Sequence, residues 1–511
     1  MVIIDTLPLA ARQIVVDLQA ENARLARIIE LKDEQIKLLN FRLFGPKSEK
    51  LSSAQMSLML AEISLQAGEV DQEADRPQAQ KDQPLPQAKQ PRPNHPGREP
   101  LPVHLERREE IIACCPADCQ CVQCGAERPV IGYETREELA WQAATFWVRV
   151  VKREKRGSHC LEEQGVVTAA APAQIVPKSK LSNALVIEVL AQKYQQHLPV
   201  YRQCATLAEN HQIELSRKTL TDAVLAAGGL LQAVVRAQAA EMVAGVYLQA
   251  DETPVPCQTP EKTGHNHRAY IWQYSVPGGP VVFDFQMGRG REGPREFLKH
   301  FRGKLQSDGY AVYDDLAAGI VYVGCLAHAR RGFVDAAKLA PHDPLPAEVL
   351  ERFGQLYAVE EQARQAGLGA PERQQLRQQQ SAPMLAQLKA RLVEIRQQIT
   401  PGSKLAQACD YALRQWSRLE EYLKDGVLEI DNNWCEGAMR PIALGRKNWL
   451  HIGSEQAGPK VAAIVSIVET CRRLGINLRQ YLNDVLPRLG DWPAKRVAEL
   501  TPTAWKAAQK S

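Results

Sequence analysis

The hydrophobic pattern of the N-terminal segment repeats every seven residues and predicts a coiled coil. Two sets of positions carry the repeat, with mostly β-branched residues in the first and Leu in the second: Val15, Asn22, Ile29, Ile36 and Leu43, then Leu18, Leu25, Lys32 and Leu39. This pairing favours a parallel dimer, and a buried Asn22 fixes its register at a cost in stability. We interpret residues 1–66 as a zipper-like dimerisation region. The alternative is a single amphipathic helix packed on the rest of the chain.

The periodicity then stops, and a cysteine cluster follows. Residues 67–102 are filled with Gln, Pro, Asp and Lys, which predicts a flexible linker. Residues 103–178 contain Cys121 and Cys124 in a CxxCG turn, an alternating stretch from 139 to 151, and the pair His159–Cys160. A turn, a hairpin and a second ligand pair predict a zinc-ribbon-like, DNA-binding segment. Cys114, Cys115 and Cys119 compete as ligands, and an eroded zinc site is the alternative.

Basic residues overlie the predicted ribbon. Arg149, Lys152 and Arg153 are candidate phosphate contacts, although most charge runs are solvated faces.

Residues 179–240 are helical by pattern and contain a possible helix-turn-helix. One helix is predicted over 181–195, a short second over 200–209, and another that begins after the N-cap Ser216. The last of these opens on Arg217 and Lys218, which are candidate DNA contacts. Any helical hairpin gives a similar pattern, so this motif is weak by itself.

Residues 241–455 change to an α/β pattern. A strand over 245–251 ends on Asp251, and strands over 269–276 and 281–286 follow. A helix over 294–301, a strand over 303–310 that carries Asp308, and a strand over 321–325 come next. Three strands, a helix, a strand, a helix and a strand is the ribonuclease H-like arrangement. In it the ends of strands one and four present two Asp side chains to shared cations.

A third carboxylate is expected from a later helix. Glu436 follows Asp431, a predicted N-cap, and shares a helical face with Asn432 and Asn433. Arg440, Arg446 and Lys447 follow it and are placed to hold phosphates. Residues 344–423 are rich in Gln, Leu and Arg and predict a helical insertion, and residues 456–511 predict a C-terminal helical element.

Three carboxylates in this arrangement suit magnesium. Mg²⁺ prefers hard oxygen ligands and keeps positions open for water and phosphate oxygens. Two such ions, about 3.5–4 Å apart, can activate an attacking hydroxyl and stabilise the leaving oxygen. One Asp would bridge the ions, with one further acid on each. A lone Asp is usually a surface residue, so the prediction depends on all three positions together.

Composition limits the remaining possibilities. The 511 residues predict about three or four domains. With 63 Lys and Arg against 59 Asp and Glu, the net charge of +4 requires local patches for any DNA contact. The N-terminus has no basic region before its apolar residues, and no apolar run reaches the roughly 20 residues that span a bilayer. We expect a cytoplasmic protein without membrane contact.

Several motifs, in order along nearly the whole chain, resemble the transposases of the insertion sequence 66 family. They are Arg42–Lys50, Leu198–Gln203, Ala250–Val255, Ser307–Tyr310, Ala327–Arg331, Glu429–Asn433 with Glu436, and Arg440–Trp449. The resemblance implies DDE transposition with Asp251, Asp308 and Glu436 as catalytic triad and as ligands of Mg²⁺ or Mn²⁺. His328, Arg330 and Arg331 become candidate DNA contacts.

The resemblance also implies partners. They are double-stranded DNA, as terminal inverted repeats and as target, a second copy of the chain, and accessory proteins encoded by the same element. The chain departs from the family pattern at Leu161, Glu162 and Glu163, where a second CxxC is usual. It also departs at Gly437, which replaces a more usual Arg, and at the uncommon pair Trp434–Cys435.

Two other functions are compatible with the sequence. A catalytically silent, DNA-binding regulator derived from a transposase would use only the N-terminal half. A general nuclease of the ribonuclease H type would cleave without requiring particular DNA ends.

Overall fold

The structure, a computed structural model, describes residues 101–142, 145–157, 165–259, 265–449 and 451–509. The predicted coiled coil and most of the predicted linker lie outside these residues, as do His159 and Cys160. The described chain divides into two compact units. One contains residues 328–365 and 379–416, and the other contains residues 101–327, 366–378 and 417–509.

The N-terminal part of the larger unit is a four-stranded sheet. Its strands are β1 (Arg107–Ile112), β2 (Val130–Gln142), β3 (Thr145–Gly157) and β4 (Val166–Thr168). β2 and β3 form a long antiparallel hairpin, which confirms the predicted hairpin, while β1 joins β3 in parallel and β4 joins it antiparallel. Buried Val148 and Val150 alternate with more exposed residues of β3, as expected for a strand with one covered face.

Three helices follow: α1 (Asn183–Tyr194), α2 (Val200–His211) and α3 (Arg217–Val243). Ser216 caps α3 as predicted, since its hydroxyl accepts a hydrogen bond from the backbone N–H of Thr219 at 3.0 Å. The helix-turn-helix interpretation requires a short helix after Ser216. It is wrong in this respect, because α3 has 27 residues. No proline interrupts α3, and a buried stripe that includes Leu220, Val224 and Leu231 holds it in the core.

This length has a further consequence. Among the described residues, α3 is the helix long and apolar enough to cross a membrane by length and composition. Its apolar stripe packs against a later helix of the same unit, which accounts for its hydropathy.

The central sheet has five strands in the order β7-β6-β5-β8-β9. They are β5 (Tyr247–Cys257), β6 (His267–Ser275), β7 (Val281–Gln286), β8 (Lys304–Gln306) and β9 (Val321–Val323). β5, β6 and β7 are antiparallel, whereas β8 is parallel to β5 and β9 is parallel to β8. The predicted adjacency of the first and fourth strands is therefore confirmed.

The connections differ in part from the prediction. α4 (Glu292–Leu298) joins β7 to β8 as expected, but β8 ends at Gln306 rather than continuing to Tyr310. The helix expected before the last strand is a single 3-10 turn, Ala311–Tyr313. The left-handed Gly309 and the hydrogen bond from Tyr310 N–H to Asp308 Oδ1 at 2.9 Å end the strand early by turning the chain.

The segment predicted as a helical insertion is helical. Its helices begin after α5 (Leu326–Leu339) and are α6 (Pro344–Gln365), α7 (Ala370–Leu376), α8 (Ala382–Gln398), α9 (Lys404–Arg414) and α10 (Trp416–Leu419). In the smaller unit, Phe333 of α5 contacts Phe353 of α6 with ring centroids 5.8 Å apart. Leu385, Leu388 and Leu392 form the buried stripe of α8.

Four helices complete the larger unit: α11 (Asn433–Trp449), α12 (Gly458–Leu474), α13 (Leu478–Arg488) and α14 (Pro502–Ala508). α11 packs on β5 and β6, while α12 packs between β7 and α3. The buried Ser466 and Thr470 of α12 accept hydrogen bonds from the backbone N–H groups of Phe283 and Val281, at 2.8 and 3.1 Å. α12 therefore covers the edge strand β7 by packing and by hydrogen bonds to its main chain.

Two neighbouring glycines of α3 test this packing. A Cβ at Gly228 would lie 2.8 Å from the Lys460 carbonyl oxygen and 3.0 Å from Ile464 Cδ1, whereas at Gly229 the nearest atom is Lys460 Cε at 4.0 Å. We expect Gly228→Ala to lower the free energy of unfolding by about 1–3 kcal/mol, because α3 and α12 must separate. Gly229→Ala should raise it by up to about 1 kcal/mol through helix propensity. Urea denaturation measures both, and equal effects would contradict this packing.

Candidate active site

Asp251 and Asp308 reach the same region of the central sheet because their strands are parallel neighbours. Gln249 of β5 pairs with Gln306 of β8, and each aspartate lies two residues further along its chain. Asp251 lies on the part of β5 that extends past β8, and Asp308 lies in the turn that follows β8, so both residues are beyond the carboxyl end of β8. Asp251 is not at a strand end, as the sequence predicted, because β5 continues to Cys257 against β6. It lies where β5 outruns β8.

Glu436 comes to the same face from α11. It lies in the first turn of this helix, which packs on β5 and β6. The carbonyl oxygen of Asn432 accepts hydrogen bonds from the N–H groups of Cys435 and Glu436, at 2.8 and 3.0 Å, so Asn432 is the N-cap. The prediction that Asp431 caps the helix is therefore wrong by one residue. Asp431 Oδ1 instead accepts from the N–H of Asn433 at 3.1 Å, which stabilises the turn into the helix.

Asp251 shows the electrostatic effect of this gathering. Burial raises its pKa most, and the negative charges of Glu252, Asp308 and Glu436 raise it further, to about 8. The N–H of Glu252 donates to Asp251 Oδ1 at 2.9 Å and only partly opposes the rise. An unperturbed Asp has a pKa of about 3.9, so Asp251 holds a proton at neutral pH until a cation or a conformational change offsets these effects.

Glu252 is a fourth acid. It belongs to the motif Ala250–Val255, but no role was predicted for it. Its Oε1 accepts from Arg289 Nη2 at 2.7 Å, and its Oε2 accepts from the Tyr313 hydroxyl at 2.9 Å. Burial raises the pKa of Glu252, and Arg289 opposes that rise. Arg289 also stacks on Tyr310, 4.0 Å from the ring centroid. Glu252 could be recognised in the sequence as an acid next to Asp251, but no spacing in the sequence indicated that Arg289 pairs with it.

The donor set fits magnesium by chemistry. It consists of hard carboxylate oxygens, and a divalent cation would offset the repulsion that raises the pKa of Asp251. Within the described residues, no group of three or more His, Cys, Asp or Glu side chains is close enough to hold one metal ion. Mg²⁺ is often held by only one or two carboxylates, with water and phosphate as its other ligands. A site in which Asp251 is shared between two ions needs two carboxylates for each.

The predicted zinc site is described only in its first half. The turn of Cys121 and Cys124 is tight, because Gly125 N–H donates to Cys121 O at 2.9 Å and Gly125 has φ of +73°. Cys121 is buried and Cys124 is exposed. His159 and Cys160 lie outside the described residues, and among the residues described no group of three or more His, Cys, Asp or Glu side chains could hold a zinc ion.

The three basic residues of β3 are engaged by glutamates of β1 and β2. The pairs are Arg149–Glu110 at 2.7 Å, Lys152–Glu109 at 2.7 Å and Arg153–Glu134. A surface ion pair of this kind contributes about 0–1 kcal/mol, so it is easily exchanged. Each of the three positive charges therefore has a carboxylate partner within the sheet.

The other candidate DNA contacts lie on separate elements. Arg217 begins α3 and lies over the ring of Tyr201 at 5.7 Å, and Lys218 pairs with Asp222 on the same helix. His328, Arg330 and Arg331 lie together on α5, where the two arginines are exposed.

On α11, two of the three candidate cations are exposed. Arg440 and Lys447 reach the surface. Arg446 is half-buried and donates to Thr253 Oγ1 at 3.2 Å and to the carbonyl oxygen of Pro254. Burial lowers the pKa of Arg446, and Arg268 adds to this effect. Arg446 therefore ties α11 to β5.

The two unusual positions around Glu436 are accommodated differently. Gly437 faces open space, with no atom within 4 Å of an added Cβ, so a larger side chain would fit there. Trp434 is 49% exposed, and Cys435 is fully buried beneath it. Neither departure displaces the first turn of α11.

The raised pKa of Asp251 makes stability depend on pH. Because the folded pKa of about 8 exceeds the unfolded value of about 3.9, the folded state binds the proton more tightly. The stabilising contribution is full below about pH 4 and is lost as the pH rises through about 8. We expect Asp251→Asn to flatten the fall of melting temperature between about pH 5 and 9 in EDTA. Glu214→Gln, which changes an exposed acid between α2 and α3, is the control and should leave the profile unchanged, and an unchanged profile for Asp251→Asn would refute the assignment.

Comparisons with known proteins match the chain to three family models. The family model described as Transposase IS66 family matches residues 178–460, which contain all three acids. Models described as Transposase C of IS166 homeodomain and as IS66 C-terminal element match residues 33–109 and 466–503.

Two proteins of Sinorhizobium fredii (strain NBRC 101917 / NGR234) are similar over most of their length. The uncharacterized protein y4hP is 31% identical over 441 residues, which cover 81% of this chain and 78% of the relative. The uncharacterized protein y4jD is 32% identical over 427 residues, which cover 80% and 82%. Because the first family model alone spans more than half of the sequence, the chain belongs to the IS66 family of transposases.

Proposed function

We propose that the protein is a DNA transposase that binds the ends of its insertion sequence, cleaves them and joins them to target DNA. The observation that carries the proposal is the convergence of three acids on one face of the central sheet. Asp251 and Asp308 come from parallel neighbouring strands and Glu436 comes from α11, and both of the other acids raise the pKa of Asp251. Perturbed acids gathered on one surface are typical of active sites.

The sheet supports a ribonuclease H-like catalytic domain over residues 241–455. Its order β7-β6-β5-β8-β9 has three antiparallel strands followed by two parallel ones, with Asp251 on the first strand in chain order and Asp308 two residues after the fourth. The short connection before β9 is a variation that leaves both acids in place.

In this proposal Asp251, Asp308 and Glu436 would hold two Mg²⁺ or Mn²⁺ ions, with Asp251 as the shared ligand. When bound, the ions would activate the attacking hydroxyl and stabilise the leaving oxygen of an in-line displacement. Asp251 must lose its proton to serve as a ligand. Water would attack the phosphorus at the element end, with the 3′-oxygen leaving as a free hydroxyl. That 3′-hydroxyl would then attack a phosphodiester of the target strand, whose own 3′-oxygen would leave. Arg440 and Lys447, exposed on the helix that carries Glu436, are candidate phosphate contacts.

The finer organisation is part of the same proposal. Residues 103–178, with zinc held by Cys121, Cys124, His159 and Cys160, and the helices of residues 179–240 would recognise the terminal repeats. The protein would act in the cytoplasm, as a homodimer, with accessory proteins of the element.

Substitution of each acid tests the catalytic assignment. We expect Asp251→Ala, Asp308→Ala and Glu436→Ala each to abolish Mg²⁺-dependent cleavage of a fragment with the element ends, because each removes a metal ligand. End binding should remain, since it depends on other residues. Gel analysis of nicked products and a mobility-shift assay measure the two activities.

The control for this experiment is Asp284→Asn, which changes a buried carboxylate of β7 that the proposal does not use. Near-normal strand transfer by any triad variant would refute the assignment. Tight end binding without nicking by the unaltered protein, with either ion, would favour the regulator. Cleavage that does not require the element ends would favour a general nuclease.

The proposed dimer is tested at the zipper. Leu25→Pro breaks the predicted helix at a core position, where proline costs about 3 kcal/mol or more. We expect it to reduce paired-end strand transfer far more than single-end binding, because two protomers must hold two ends. Gln90→Pro, in the predicted linker, is the control. Sedimentation of the full chain measures the association, and normal transposition by a monomeric Leu25→Pro variant would exclude the zipper.

A further inference from the structure

A buried polar cluster is formed by side chains that lie two residues before Asp251 and two residues before Asp308. Gln249 and Gln306 are fully buried neighbours on β5 and β8. Gln249 Nε2 donates to Gln306 Oε1 at 2.8 Å, and the buried hydroxyl of Tyr247 donates to the same oxygen. Buried amides are costly unless their hydrogen bonds are satisfied, so the remaining partners of these side chains are informative.

Those partners belong mainly to the segment that enters α11. Both glutamines and the tyrosine bond to its main chain, and Gln306 also donates to the carbonyl oxygen of Gly324, at 3.0 Å, after β9. The bonds to the segment are Gln249 Nε2 to Asp431 O at 2.9 Å, Cys435 N–H to Gln249 Oε1 at 3.2 Å, Gln306 Nε2 to Glu429 O at 2.9 Å, and Glu429 N–H to the Tyr247 hydroxyl at 3.1 Å. The cluster thus joins two strands to the start of one helix.

We propose that Gln249 and Gln306 are positioning residues that set Glu436 relative to Asp251 and Asp308. Gln249 lies two residues before Asp251, Gln306 lies two before Asp308, and the N–H that Gln249 receives belongs to the residue before Glu436. One hydrogen-bonded unit therefore fixes the main chain beside each acid. The inference rests on the proposed function, because it concerns the geometry of the same carboxylates.

The entering segment is also held from its other side. The fully buried Arg377 donates to the carbonyl oxygens of Tyr422, Asp425 and Leu428, at 2.9, 2.9 and 2.7 Å. Gly426 lies so close to the main chain of Ala370 that an added Cβ would be 1.7 Å from its carbonyl oxygen. With one side fixed by Arg377, loss of the glutamine bonds should shift the start of α11 rather than unfold it.

The test uses Gln249→Met in the full-length protein, since Met keeps the length of the side chain but neither donates nor accepts comparably. Metal binding is measured by the rise in melting temperature with Mn²⁺, and cleavage is measured on the element-end fragment. We expect the half-saturating Mn²⁺ concentration to rise about 10–100-fold, the effect usual for residues that orient metal ligands. Cleavage at low Mn²⁺ should fall in parallel.

Gln238→Met is the matched control. Gln238 of α3 is also fully buried, and its Nε2 donates to Val281 O at 2.8 Å and to Thr470 Oγ1 at 3.1 Å, on β7 and α12. This variant loses a similar buried amide, so it should lose similar stability without a change in Mn²⁺ affinity. Tyr247→Phe removes one hydroxyl of the cluster and covers the case in which Gln249→Met does not fold. It should weaken Mn²⁺ binding in the same direction by a smaller factor.

The outcomes separate the inference from the proposed function. If the unaltered protein binds Mn²⁺ and cleaves, but Gln249→Met and Tyr247→Phe have the Mn²⁺ affinity of Gln238→Met, positioning by the cluster is overturned while the function stands. If the unaltered protein binds Mn²⁺ without cleaving, the catalytic assignment fails and the Mn²⁺ shifts still decide positioning. If it neither binds Mn²⁺ nor cleaves, both are overturned.

Discussion

Repulsion between carboxylates that share a partly buried surface is the constraint on which this molecule depends. Separate acids would relax apart, because each additional negative charge in a low-dielectric place raises the free energy of the others. Here burial makes the largest contribution and the negative charges of Glu252, Asp308 and Glu436 add to it, so that the pKa of Asp251 rises to about 8. Glu252, next to it, is partly neutralised by Arg289 and bonded by Tyr313. The rest of the fold must therefore hold these acids close together, because the acids themselves repel one another.

The fold meets this requirement with main-chain connections rather than with the acids themselves. Parallel pairing of β5 and β8 sets two acids in register, and the capped first turn of α11 presents the third. Packing of α12 on β7 and α3 makes the sheet behind them rigid. The paired residues of β5 and β8 and the capped N–H of Cys435 lie one or two residues from the acids. A small movement of α11 therefore changes the distance between carboxylates while leaving most of the core intact.

The sequence predicted the parts of this arrangement that depend on local periodicity. Strand alternation located β6 and β7 within two residues, and the hydroxyl of Ser216 marked the start of α3. It did not predict the length of α3. The apolar stripe of this helix packs against α12, which is distant in sequence and comes near only in the folded protein. Similarly, the end of β8 depends on a left-handed glycine and an Asx turn, which override the strand pattern after Gln306. Motifs pointed to Asp251, Asp308 and Glu436, but no motif pointed to the residues that support them. Gln249, Gln306 and Arg289 act across long stretches of sequence, and nothing in their own neighbourhoods distinguishes them.

The same distinction applies to the positive charges. A basic run such as that of β3 suggests DNA contact when it is viewed alone, but its three candidate cations lie opposite glutamates of adjacent strands. Phosphate could replace a glutamate at little cost, since each pair contributes about 0–1 kcal/mol, yet the displaced glutamate would remain nearby and repel it. Arg446 is committed further, because its bonds to Thr253 and the Pro254 carbonyl join α11 to the strand that carries Asp251. Loss of its charge would therefore disturb the acids before it affected any phosphate. In a chain of net charge +4, these four cations are thus engaged within the protein, and the proposed binding of DNA depends on other, exposed cations.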